Sequence, residues 1–160
     1  MRSALVLGAA AVLLAAGCSQ GAATPEVMAS DPWTRTTDGA QEKMMTAVFV
    51  SFANPSPEDR VLVKADCGDV AKKTELHEMK MEDGEMIMVE AKGGIPIPGE
   101  AHEHLAPGGP HIMLMGLNRE LPVGSEEITC QLELDNGQEI EIVAPVKEFT
   151  EEQETYHKHG

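Results

Sequence analysis

Apolar and polar residues change places at every step from Glu127 to Leu134, with Ile128, Cys130, Leu132 and Leu134 on one side. A period of two is the signature of a half-buried strand. Asp135-Asn136-Gly137 then reads as a hairpin turn, and Glu139 to Val146 as its return strand, with Ile140, Ile142 and Ala144 inward. The same pattern predicts a strand from Lys43 to Ala53. Met45, Ala47, Phe49 and Ser51 fall on one side of it, and Met44, Thr46, Val48, Val50 and Phe52 on the other. A short strand is predicted from Arg60 to Ala65, with Val61 and Val63 inward. Asn54 to Asp59, Ala106 to Pro110 and Gly116 to Glu120 carry turn residues. Pro96 and Pro98 suit an edge strand or an extended connection. No helix of useful length is predicted after the leader. Short strands separated by turns predict an all-β antiparallel sandwich.

One hairpin can be read residue by residue. Asp83-Gly84 is a strong two-residue turn, because both of its central positions need positive φ. It sets Glu82 opposite Glu85, Met81 opposite Met86 and Met79 opposite Met88. His77, Met79, Met81, Met86 and Met88 then share one face, and Leu76, Glu78, Lys80, Glu85, Ile87 and Val89 the other. A second stretch, His111 to Met115, puts His111, Met113 and Met115 on one face and Ile112 and Leu114 on the other.

These faces carry the candidate chemistry. The stretch from His77 to Met115 holds six of the ten methionines and four of the six histidines. Thioether and imidazole together are ligands for a soft metal, above all Cu(I). The competing reading is packing, since methionine fills cores well. Against it, a core strand face would use Val, Ile or Leu, which suit strands better. Met79 and Met115 are auxiliary candidates. His102 and His104 alternate on a predicted strand and share a face, either as an auxiliary divalent site or as solvated side chains. His157 and His159 in the terminal tail are open to the same two readings.

His77, ten residues, Met88 and then His111-Ile112-Met113 resembles the His/Met motif of the PCuAC family of periplasmic copper chaperones. The flanking text is similar as well: TELHEM before the hairpin, GGIPIP in the middle and LAPGGPHIMLMGL at the end. The likeness runs from about Trp33 to Val146. It implies a cupredoxin-like Greek-key β-sandwich. It implies Cu(I) as the cofactor, held by His77, Met88, His111 and Met113. The implied role is delivery of copper to cytochrome oxidase assembly, with an oxidase subunit or a Sco-type protein as acceptor.

Charge and composition narrow the rest. The formal charge is −15, so nucleic acid is an unfavourable partner and a cation a favourable one. Aromatics are 3%, too few for a binder that stacks sugars or bases. The apolar run Ala4 to Ala16 is too short to span a bilayer and fits the core of a secretory signal. Leu14-Ala15-Ala16-Gly17-Cys18 resembles a bacterial lipobox. Residues 1–17 are thus expected to be removed and Cys18 to carry lipid, anchoring an exported protein to the bacterial cell membrane. Residues 18–31 read as a flexible tether, 32–148 as the domain and 149–160 as an acidic, His-ended tail. Cys67 and Cys130 then remain as an even pair, most simply a disulfide in an exported chain. Blue-copper electron transfer would need a cysteine near His111, and none is there. No nucleophile with an acid–base set is evident, so the expectation is a carrier and not an enzyme. The alternative is a lipoprotein that sequesters or buffers copper.

Overall fold

The computed structural model describes residues 25–148. The signal segment, Cys18 and the tail with His157 and His159 lie outside the described residues. Eleven strands run in chain order among those described: β1 (Met28–Arg35), β2 (Met45–Asn54), β3 (Arg60–Asp66), β4 (Ala71–Glu82), β5 (Glu85–Glu90), β6 (Ile95–Ile97), β7 (Ala101–Leu105), β8 (His111–Leu117), β9 (Ile128–Leu134), β10 (Glu139–Ala144) and β11 (Val146–Lys147). The one helical segment among the described residues is a single 3-10 turn at Gly68–Val70.

Two sheets face each other. The larger has the order β11-β1-β2-β8-β4-β5, with β7 also paired to β2, and the smaller has the order β10-β9-β3-β6. Their inner faces supply the core. Val48, Val50 and Phe52 of β2 and Ile112 and Leu114 of β8 meet Leu62, Ile95, Ile97, Leu132 and Leu134 from the other sheet. The fold is the all-β, cupredoxin-like sandwich. It is antiparallel except at β1 and β11, which pair in parallel through Thr34–Val146 and Arg35–Lys147. Glu133, Glu139 and Glu141 are exposed on the outer face of the smaller sheet, while Leu132, Leu134 and Ile142 beside them are buried and Ile140 is partly buried.

Three expectations are corrected. Val63 is exposed and Val61 only partly buried, and the buried residues of β3 are Leu62 and Ala65. The register slips between Leu62 and Lys64, and one extra residue turns the period-two count over. Order begins inside the segment read as tether, since β1 starts at Met28 and Val27 is buried. Asp31, at φ 51°, and Pro32 interrupt the β1 ladder, so a paired strand looks like a linker. Finally, Gly116 and Leu117 still belong to β8, and Leu117 is buried.

Cys67 and Cys130 are bonded, with Cα atoms 4.0 Å apart. Asp66 and Gln131 are neighbours in the β3–β9 ladder, so the bond staples two adjacent strands of the smaller sheet.

Candidate metal centre

Four strands bring the centre together on the outer face of the larger sheet. The Asp83-Gly84 turn has φ values of 50° and 86°, and it sets Met79 opposite Met88 and Met81 opposite Met86, as the sequence requires. On its other edge β4 pairs with β8, so that His77 stands opposite His111 and Glu75 opposite Met113. β8 then pairs with β2, placing Met113 opposite Ala47 and Met115 opposite Met45. The methyl of Ala47 leaves space beside Met113. A cavity of about 540 Å³ opens there, lined by Phe49, Met88, Pro107, Gly108, His111 and Met113 among others.

Each imidazole keeps a lone pair. His111 is buried, and its Nδ1 lies 2.9 Å from the Gly109 carbonyl. A carbonyl only accepts, so Nδ1 carries the hydrogen and Nε2 is left free to bind a metal. The Ala106–Pro110 turn makes this bond possible, closing through the Gly109 amide onto the Ala106 carbonyl. Phe49 stands 6.2 Å from the His111 ring, and the Trp33 ring packs against Phe49 at 4.5 Å, tilted by 37°. His77 Nε2 lies 2.9 Å from Glu75 Oε2. The carboxylate accepts, which leaves His77 Nδ1 as the lone-pair atom. That atom is buried without a hydrogen-bond partner. The two rings are 5.6 Å apart, edge to face.

Glu75 was missed by sequence reasoning, although it stands two residues before His77 and therefore on the same face. It bonds Lys73 as well as His77. The His77 hydrogen bond and then Lys73 hold its carboxyl below the usual range.

The placed residues form two groups. His77, Met88, His111 and Met113 cluster on one face, with Met79 beside Met88. His77 is beside the cavity and not part of its lining, because its ring turns toward Glu75. Met115 lies one pair further along β8, opposite Lys73 and Met45. His102 and His104 are elsewhere, exposed on β7 with parallel rings 6.3 Å apart, and His104 Nδ1 is 2.9 Å from Ser51 Oγ. Among the described residues no three His, Cys, Asp or Glu side chains converge on one point. A metal held here would have to draw on the thioethers beside the two imidazoles, and thioethers select soft cations.

Burial pushes the His111 pKa down, His77 adds to the push, and the Gly109 bond offsets part of it. The unfolded imidazole, near 6.5, takes up a proton that folded His111 resists. Stability from this source is complete above that value and is lost as pH falls through the lower folded value. The metal-free domain should thus unfold at progressively lower denaturant as pH falls below the unfolded value of 6.5. In His111→Gln that drop should shrink.

A family model described as "Putative lipoprotein LpqE-like" matches residues 27–146. The chain is similar to "Putative lipoprotein Lxx21020" of Leifsonia xyli subsp. xyli, at 34% identity over 149 residues, covering 93% of this chain and 86% of that one. Among solved structures it is similar to the copper-bound PCuAC domain from PmoF2, with a TM-score of 0.61 and 19% identity over 80% of this chain and 97% of that one. At that identity the likeness speaks for the fold. It is also similar to apo-DR1885 from Deinococcus radiodurans, with a TM-score of 0.57 and 25% identity over 94% of this chain and 97% of that one. The solution structure of CuI-DR1885 matches at TM-score 0.55 and 27% identity, covering 81% of each chain.

Proposed function

The chain belongs to the LpqE-like family, of PCuAC type, and from that premise we propose that it is a copper chaperone that carries Cu(I) on the outer face of its larger sheet. The observation that carries this reading is the His77–His111 pair with two unengaged ring nitrogens, flanked by Met88 and Met113. Similarity to the Cu(I) form of DR1885 supports the metal. The proposed ligands are His77, Met88, His111 and Met113. The copper is cargo, and the mechanism is ligand exchange. Met88 is 49% exposed while His111 is buried. An acceptor can therefore displace the outer thioether first and the buried imidazole last, so the ion is never free in solution. Neutral thioethers take up no proton, so acid weakens this site only through its two histidines.

Glu75 acts through His77. A carboxylate on the far nitrogen fixes ring tautomer and direction, and losing such a partner costs about 10- to 100-fold in metal affinity. Glu75→Ala is expected to weaken Cu(I) binding within that range in chelator competition, and Glu75→Gln, which still accepts a hydrogen bond, to recover part of it.

The finer reading is that Cys18 carries lipid, that the domain works at the outer side of the cell membrane, and that the acceptor is a cytochrome oxidase subunit or a Sco-type protein. The copper-loaded mature chain mixed with each candidate acceptor tests this. Copper should move to one of them faster than it moves to a small chelator of equal affinity. Equal rates for all acceptors would favour sequestration instead. The exposed His102–His104 pair supplies a specific observation for that second reading. Two imidazoles two residues apart on a strand can chelate one divalent ion, and His102→Ala/His104→Ala should then remove a Cu(II) signal while leaving Cu(I) binding intact.

A further inference from the structure

The β4–β5 hairpin carries more thioether than one metal site uses. Met79 faces Met88, and Met81 faces Met86. Packing does not account for them. Met81 is 66% exposed, Met88 49% and Met86 37%, so they fill no core. Nor does strand preference, which favours β-branched and aromatic residues at exposed strand positions. β5 is also the outer edge of its sheet, where natural edges are usually blunted by charge and not lined with apolar side chains. The opposite face of the same hairpin mixes the charged Glu78, Lys80 and Glu85 with Ile87 and Val89 and holds no methionine, so the thioethers are confined to one face.

We propose that Met81 and Met86 form a second, weaker Cu(I) position at the hairpin tip, an outer station from which the ion steps through Met79 and Met88 to the His77–His111 centre. The inference rests on the Cu(I) reading of that centre. Directly opposed residues in a ladder have Cβ atoms about 4.5–5.5 Å apart. Methionine has three rotatable side-chain bonds, so two opposed sulfurs can turn onto one ion. At about 3.3 Å per residue, the tip pair lies about 13 Å from the His77 row, with the Met79–Met88 pair halfway. That distance makes the tip a separate position, while each step between pairs stays short. Glu82, Asp83 and Glu85 surround the turn and are all exposed. Their negative field raises the local concentration of a cation. Two thioethers without imidazole hold the ion less firmly than the inner set, and this difference directs it inward.

The test uses the mature chain labelled with 13C at its methionine methyls, titrated with Ag(I) as a redox-inert stand-in for Cu(I). Signals are assigned by single Met→Leu changes. The first equivalent should shift Met88 and Met113, and further equivalents should shift Met81 and Met86. Met81→Leu/Met86→Leu should keep the first event, lose the second and slow Cu(I) loading from a chelator several-fold. Met81 and Met86 methyls that stay still through three equivalents would overturn the proposal, as would a double variant that loads at the native rate. Failure of Met88 and Met113 to respond to the first equivalent would instead overturn the reading of the inner centre. That result is scored on different signals from those of the tip.

Discussion

Met113→Leu is expected to abolish tight Cu(I) binding while the domain keeps its fold. Leucine matches methionine closely in volume, and such exchanges cost less than about 1.5 kcal/mol even when buried. Met113 is only half-buried, beside the small Ala47 and above an open cavity. Its sulfur is therefore dispensable for packing and, on the proposed ligand set, needed for coordination. Losing an outer partner of a metal ligand costs about 10- to 100-fold, so losing a ligand outright should cost more than about 100-fold. Chelator competition gives the affinity, and a denaturation midpoint measured on the same sample gives the fold. His111→Ala is a poorer probe. That ring is buried, bonds Gly109 and packs near Phe49, so its removal mixes loss of structure with loss of metal.

Breaking the disulfide should produce the opposite pattern. Cys67 and Cys130 are 63 residues apart in sequence. Closing a loop of that size removes unfolded-state entropy worth about 4 kcal/mol. Cys67→Ala/Cys130→Ala should lower unfolding free energy by that order, seen as a lower denaturant midpoint. Cu(I) affinity should not change, because the bond lies in the smaller sheet and the centre on the outer face of the larger one. A drop of more than tenfold in affinity would mean that a cysteine takes part in binding.

Much of this was legible in the sequence because it is local. The Asp83-Gly84 turn fixes its own register, so the pairs Met79–Met88 and Met81–Met86 follow from spacing alone. The His111 stretch was legible as a face, but not as the neighbour of His77. That pairing joins residues 34 apart through a strand crossover, and spacing holds no information about it. The resemblance supplied the association of the two, and the β4–β8 ladder gives it a physical form. Val63 was misread because a register slip is invisible to a count of two. The start of β1 was misread because Met28 to Asp31 close a small, polar, Pro-containing stretch with the composition of a tether, while the pairing that orders Met28 to Ser30 comes from distant β2. Glu75 could have been found. The face that runs through Met81, Met79 and His77 continues to it, but a lone carboxylate there carries no mark of a soft-metal site.

The most direct measurement is X-ray absorption at the copper edge on the mature chain loaded with one equivalent of Cu(I), with the stoichiometry fixed by chelator competition. One tightly held copper with both nitrogen and sulfur neighbours, lost in His77→Ala and in Met113→Leu, is the expected result. No tight copper would contradict the central claim and return the His77–His111 face to ordinary packing. Tight copper with sulfur neighbours alone would contradict the assignment of the two imidazoles.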